Sequence, residues 1–572
     1  MFYHAFASDY DGTLAQDGIV SESTLAAIER LKESGRKFIL VTGRELPDLK
    51  RVFPRLDICD LIVAENGALL YFPGAEEERP IAPAPPPEFV EILKSRGVNP
   101  LSVGRSIVAT WEPHQTDVLE AIKQLGLELE IIFNKGAVMV LPSGVNKATG
   151  LAAAIEELML SPHNVIGIGD AENDHAFLRA CGFSAAVANA LPAVKETADV
   201  VTKGARGEGV EELVGLLLED EARLGIPARQ HVAIGKSKEG QEVTIVPGSV
   251  VLIAGSSGIG KSTLATALTE GLTERGFQFL VFDPEGDYET LENAVTLGDA
   301  RTAPQKDDVL ELLAEARNNV VVNTLSLQLA ERPVFFADLQ AELGTLRART
   351  GRPHWLLIDE AHHLLPVTRD GASLALTQEM PSTVLITVHP EAVSPDALRE
   401  VDVVVALGPQ SDDAIRTFCA ATGETPPQDL QPAQGEDVLF WLRADKTGPE
   451  VVTPVRPKQK HKRHTRKYAE GDLGPERSFY FRGPDGAMNL RAQNLMIFVQ
   501  IAEGIDDSTW EHHRRAGDYS SWLRSCVKDD ALADEAADVE KEETLGPAQS
   551  RKKIIEAIQK RCTAPASADA KF

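Results

Sequence analysis

The run Gly255-Ser256-Ser257-Gly258-Ile259-Gly260-Lys261-Ser262 leaves the chain around it very little freedom. Its glycines let backbone N–H groups turn inward around an anion, and that geometry needs a buried strand before the loop and a helix after it. Both neighbours are present: Val250–Ala254 is continuously apolar, and Thr263–Leu272 has helical spacing. The segment is therefore expected to fold around a mainly parallel sheet, with the loop at the carboxyl end of a strand. In that setting Gly255, Ser256, Gly258, Gly260 and Thr263 shape a cradle for ATP. Lys261 reaches the β- and γ-phosphates, and Ser262 coordinates Mg²⁺.

A second loop of a different chemistry lies near the amino end. Asp9-Tyr10-Asp11-Gly12-Thr13-Leu14 follows an apolar strand, Phe2–Ser8. Behind it come Thr42-Gly43-Arg44 after the strand Lys37–Thr42, Lys147 at the head of a helix, and Gly169-Asp170-Ala171-Glu172-Asn173-Asp174 after the strand Asn164–Gly169. Strand carboxyl ends gather ligand-binding residues, so three of these four segments can converge. Asp9 can attack a phosphoryl group to form an aspartyl-phosphate, and Asp11 can protonate the leaving oxygen and then activate water. Carboxylates from Asp9 and Asp170 suit octahedral Mg²⁺, while Thr42 and Lys147 can hold phosphoryl oxygens. Arg44 reads equally as a surface ion-pair residue or a substrate contact.

These ordered motifs, with Ala64-Glu65-Asn66-Gly67, resemble the Cof-like, type IIB branch of the haloacid dehalogenase (HAD) superfamily over about residues 1–217. The resemblance implies a Rossmann-like domain with an α+β cap inserted between the second and third motifs. It also implies Asp9 as nucleophile, Asp11 as acid/base, Mg²⁺ on Asp9, the Asp11 carbonyl and Asp170, and support from Asn173 and from Asp174, which is counted among the metal residues. The substrate it implies is a small phosphate monoester, such as a sugar phosphate or phosphoglycolate. A proline-rich stretch, Pro80–Pro87, opens the insert, which then reads strand Ser106–Thr110, helix Thr116–Leu125, strand Leu129–Phe133 and strand Ala137–Leu141.

In the second half, the apolar strand Trp355–Ile358 ends in Asp359-Glu360. Asp359 supplies a carboxylate on the Mg²⁺ side and Glu360 can polarise the attacking water, which favours hydrolysis over transfer. With Asp283-Pro284-Glu285-Gly286-Asp287-Tyr288 these motifs resemble the HerA/FtsK-like additional-strand ATPases over about residues 249–408. That resemblance implies a RecA-like P-loop domain and a homo-oligomer. Thr387-Val388-His389-Pro390 stands where that branch often has a sensor glutamine, and no arginine finger is assigned, Arg399 being one candidate.

A chain of 572 residues exceeds one hydrophobic core and predicts three or four domains. The expected division is a HAD-like unit over 1–224 with its cap at about 80–142, a P-loop ATPase over 231–445, a basic linker over 446–475, and a small mainly helical module over 476–572. In that module Asn489–Glu503 and Ser508–Val527 read as helices. The formal charge of −28 argues against a nucleic-acid-coating surface and leaves Lys458–Lys467 as the one basic run that could meet phosphate backbones. Five scattered cysteines fit a reducing cytoplasm, and no apolar run is long enough for a membrane span. The sequence thus reads as a Mg²⁺-dependent phosphatase fused to an ATPase. A nucleic-acid 3′-phosphatase/5′-kinase and a DNA translocase with a HAD sensor domain are the alternatives.

Overall fold

The computed structural model describes residues 2–562 apart from 135, 257, 300, 368–379, 446–447, 459–477, 485, 487, 528 and 543. Most of the basic run lies outside the described residues.

The amino-terminal part is built on β1 (Ala5–Asp9), β2 (Lys37–Val41), β3 (Leu61–Ala64), β4 (Leu69–Phe72) and β5 (Glu77–Pro80). Four cap strands follow, β6 (Ser102–Val103), β7 (Val108–Trp111), β8 (Leu129–Asn134) and β9 (Ala137–Pro142). The chain then returns through β10 (Val165–Gly169), β11 (Phe183–Ala186) and β12 (Val200–Val201). The large sheet runs β12-β11-β10-β1-β2-β3-β4-β5. It is parallel from β12 to β3, and β4 and β5 extend it antiparallel. The reversal is forced by the short 3₁₀ turn Glu65–Gly67, because a parallel return needs a long crossover. The central strands are buried on both faces, which is why they read as unbroken apolar runs.

The cap is an antiparallel sheet, β6-β7-β9-β8. One face packs Val108, Val138 and Val140 on the helices Pro87–Ser95 and Gln115–Leu125. The other turns Ile107, Met139 and Leu141 toward Ala68 and Val145 of the core. The helix Pro87–Ser95 was hidden in the sequence by its proline-rich approach; Pro87 sits at its start, where a missing N–H costs nothing.

The second large sheet contains β13 (Val232–Ser237), β14 (Glu242–Ile245), β15 (Val250–Ala254), β16 (Phe279–Asp283), β17 (Val295–Leu297), β18 (Val320–Asn323), β19 (Trp355–Ile358), β20 (Thr383–Thr387), β21 (Val403–Leu407), β22 (Val438–Leu442) and β23 (Glu450–Pro454). Their order is β14-β13-β23-β22-β21-β15-β20-β19-β16-β18-β17. β20 is thus inserted between the P-loop strand β15 and the Asp359 strand β19, as additional-strand P-loop folds require. Alternate residues bury on opposite faces, Leu252, Leu280 and Leu356 on one and Val251, Val281 and Leu357 on the other.

The carboxy-terminal part is mainly helical around Phe479, Phe498, Trp510, Tyr519 and Trp522. Among the described residues its first helix begins at Leu495 and not at 489, because Leu490–Ala492 pairs as a strand with Phe479–Phe481 and the Asn494 side chain caps Ile497 N–H. Among the described residues no helix is long and apolar enough to cross a membrane.

The two large sheets are joined at their strand amino ends. His163, just before β10, stacks on Phe277, just before β16, with ring centroids 4.0 Å apart, and meets His354, just before β19, edge-on at 5.2 Å. The buried Arg352 guanidinium donates to the Met159 carbonyl on one side and to the Leu313 and Ala314 carbonyls on the other. Burial holds the His163 imidazole down at about 4, against a partial lift from the Arg275 and Gly276 backbone.

Candidate active sites

The carboxyl ends of β1 and β10 place Asp9 and Asp170 side by side, since the two strands pair in parallel. Lys147 enters from the first turn of the helix Lys147–Glu157, whose start is fixed by Asn146: its side chain accepts from the Ala148 and Thr149 N–H groups. From there Lys147 Nζ donates to Asp9 Oδ1 and to Asp174 Oδ1, 2.5 Å each. All three are at least nine-tenths buried. Asp174 uses its other oxygen to accept from the Asp170 and Ala171 N–H groups, both at 2.9 Å. Burial, then the Asp174 charge, pushes the Asp9 carboxyl up, and Lys147 pulls it partly back. Burial opposes the Lys147 ammonium, but Asp174 and Asp9 outweigh it and hold it above its ordinary value.

Oxygen atoms of Asp9, Asp170 and Asp174 lie within 4.8 Å of one another. This all-carboxylate donor set matches the hard-oxygen preference of Mg²⁺. Asp170 also closes on the Asp11-Gly12-Thr13 turn: a Cβ at Gly12, where φ is +89°, would stand 2.4 Å from Asp170 Oδ2. Only glycine serves there.

Thr42 is fully buried just past β2, and its hydroxyl accepts from Arg44 N–H at 3.1 Å. Asp11 stands apart from the Lys147 cluster. Its carboxylate is half-exposed and gripped by a two-pronged Arg44 contact, Nε and Nη2 each at 2.7 Å. Arg44 is thus an ion-pair residue with two partners, Asp11 and Asp48, the latter at 2.5 Å.

Sequence reasoning left two buried polar residues without a task. Glu65 accepts from the N–H groups of Arg105, Ser106 and Ile107 at 2.8, 2.7 and 3.2 Å, tying the core to the cap. Asn66 accepts from Asn173 Nδ2 at 3.0 Å. Both have φ near +50° (52° and 55°) and precede Gly67, whose added Cβ would stand 1.9 Å from the Asn146 carbonyl oxygen. Asn-Gly after a strand was the available signal.

In the second sheet the loop after β15 carries three glycines at positive φ, Gly255, Gly258 and Gly260. Lys261 is buried at the head of the helix Lys261–Glu274 and donates back to the Gly255 and Ser256 carbonyls at 2.9 and 3.0 Å. Ser256 is exposed, Ser262 half-buried and Thr263 exposed. Asp359 directly follows β19, two strands from β15, so it lies about 10 Å from the line of the P-loop strand. Asp283 ends the adjacent β16 and accepts from the N–H groups of Gly286, Asp287 and Tyr288. Burial, then Glu360 and Asp283, raises the Asp359 carboxyl well above its ordinary value. Glu360 follows with φ of +43°, and its carboxylate lies 3.5 Å from His362 Nδ1, which also meets Thr387 Oγ1 at 3.0 Å. Arg399 pairs with Asp396 on the surface.

Over residues 6–119 and 112–214 the sequence matches the haloacid dehalogenase-like hydrolases, and over 239–340 it matches the central domain of helicase HerA. The chain belongs to the haloacid dehalogenase-like hydrolases and is an enzyme of phosphatase type with a HerA-type ATPase segment. Among its relatives is phosphoglycolate phosphatase 2 of Saccharolobus solfataricus, 34% identical over 218 residues that span 37% of this chain and 91% of that protein. The phosphoglycolate phosphatase of Methanothermobacter thermautotrophicus is 31% identical, over 37% of this chain and 96% of its own length. A haloacid dehalogenase-like hydrolase of known structure from Bacteroides thetaiotaomicron is 19% identical, covers 38% of this chain and 99% of its own, and has a TM-score of 0.33.

Proposed function

We propose that residues 1–224 form a Mg²⁺-dependent phosphatase for small phosphate monoesters of the phosphoglycolate or sugar-phosphate kind, working in the cytoplasm through an aspartyl-phosphate on Asp9. The observation that carries this reading is the buried Lys147 ammonium held between Asp9 and Asp174 beside Asp170. Asp9 attacks phosphorus as the ester oxygen departs, and Asp11 delivers the proton to that oxygen. To carry that proton Asp11 must first turn out of the two-pronged Arg44 contact and take one up from solvent. Asp11 next takes a proton from the water that hydrolyses the aspartyl-phosphate. Thr42 and Lys147 hold the phosphoryl oxygens. Asp9, the Asp11 carbonyl and Asp170 would hold Mg²⁺, with Asp174 orienting Lys147 and the 170–171 backbone. Mg²⁺ supplies the charge that allows neighbouring carboxylates to stay ionised and that neutralises phosphoryl oxygens.

Residues 231–445 bind and hydrolyse ATP on the same reading, within a homo-oligomer. Lys261 and Ser262 serve the phosphates and Mg²⁺, Asp359 stands on the metal side, and Glu360 orients water. Residues 446–475 would be a linker and 476–572 an appended module.

The test is Mg²⁺-dependent phosphate release from phosphoglycolate by the full chain. Asp9→Asn keeps the shape and removes the nucleophile, so turnover should fall by several orders of magnitude. Retention of more than about a tenth of the activity would overturn the mechanism. Faster hydrolysis of 3′-phosphorylated DNA than of every small ester would replace this reading with end processing. For the ATPase, Glu360→Gln should keep ATP binding and lose phosphate release, whereas Lys261→Ala should weaken binding itself.

A further inference from the structure

Asn66 and Asn173 meet across an unexpected span. Asn66 follows β3 and Asn173 follows β10, and β1 and β2 lie between those strands in the sheet. A contact of 3.0 Å between their side chains therefore arches over the ends of β1 and β2, where Asp9 and Thr42 sit. Asn66 is fixed from below, with its N–H donating to the Thr42 carbonyl at 3.0 Å. A Cβ built on Gly43 would stand 3.8 Å from Asn66 Oδ1, 3.9 Å from Asn173 Nδ2 and 3.8 Å from the sulfur of cap residue Met139. The amide pair and the cap thus close on the same small space above the second motif.

Two polar atoms of this pair are unused. Asn66 Nδ2 and Asn173 Oδ1 are buried, and among the described residues neither has a hydrogen-bond partner. Asn66 as a whole is 0% exposed. A buried donor without an acceptor is unfavourable, and so is a non-glycine residue at φ of +55°. The two together mark a side chain held in place for something absent from the free protein.

We propose that Asn66 is a substrate-contacting residue whose free N–H donates to an oxygen on the leaving group, a carboxylate or hydroxyl oxygen close to the phosphoester. This deepens the phosphatase reading and rests on it. Phosphoryl chemistry at Asp9 needs no such donor, so the contact distinguishes esters that carry that oxygen from those that do not.

The test compares kcat/KM of the full chain for phosphoglycolate, glycerol 3-phosphate and phenyl phosphate, whose leaving group has no second oxygen. Asn66→Gly accepts the left-handed backbone and removes the amide. It should lower the phosphoglycolate-to-phenyl ratio, the glycerol-to-phenyl ratio, or both, by about tenfold or more. Asn66→Asp keeps the shape and replaces the donor by a negative acceptor. Against a carboxylate it should cost more than Asn66→Gly, and against a hydroxyl, which can donate to it, less. Equal losses on all three esters would mean a structural role and overturn the proposal, as would unchanged ratios in folded variants. Absence of hydrolysis of any ester by the unaltered chain would overturn the phosphatase reading and this assignment with it.

Discussion

At the residue scale the amino-terminal site depends on backbone that few side chains tolerate. Glu65, Asn66 and Gly67 follow one another at positive φ, and the third has the Asn146 carbonyl against its Cα. Gly67→Ala would drive a methyl group into the residue that caps the Lys147 helix. A loss on the order of 3 kcal/mol or more is expected, with Lys147 displaced and phosphatase activity lost. An unaltered thermal melt would show that the turn relaxes freely. Conservative changes at exposed Thr263 should leave the melt where it is.

At the scale of elements, the Glu65 carboxylate ties the cap to the core by accepting three consecutive amides, beside the Arg105–Glu78 ion pair. Glu65→Gln keeps the shape but loses the charge and one acceptor oxygen. Cap closure should weaken by about 1–3 kcal/mol, read as hydrogen exchange at amides 105–107 accelerating about tenfold or more. Unchanged exchange would mean that the Met139 and Ile107 packing alone holds the cap.

This contact also shows where sequence reading stops. Strand-plus-loop motifs such as β1 with Asp9 or β15 with Gly255 are legible because apolar runs and phosphate-loop spacing are local properties of the chain. The contacts of Glu65 and Asn66 are not, although the run 64–67 marks the family, because their partners lie 40 and 107 residues away and a buried polar residue carries no periodic signature. The helix Pro87–Ser95 was obscured because proline marks helix starts and loops alike.

At the scale of the whole molecule, His163 makes the joint between the two sheets sensitive to pH. Its folded value of about 4 lies below the ordinary 6.5, so the unfolded chain binds the extra proton. Its contribution is fully present above about pH 6.5 and is lost progressively as pH falls toward 4. His163→Phe keeps a ring against Phe277 without the proton. Between pH 6.5 and 4 its stability should fall less steeply than that of the unaltered chain, by up to about 1.4 kcal/mol per pH unit. Parallel pH–melting curves for the two proteins would rule out His163 as the source. Other imidazoles held low by burial, the adjacent His354 and His362 beyond the far end of β19, keep part of the slope in either case.

The joint has a geometric corollary. Because it binds the amino ends of β10, β16 and β19, the catalytic ends of both sheets point away from it, one strand length beyond on either side. Strands of five residues make that about 17 Å each way, some 35 Å from mouth to mouth. A phosphate ion leaving one mouth must mix with bulk solvent before it can meet the other. Both sites therefore draw on the bulk solution, and a product concentration that inhibits one reaches the second only as an ordinary solute.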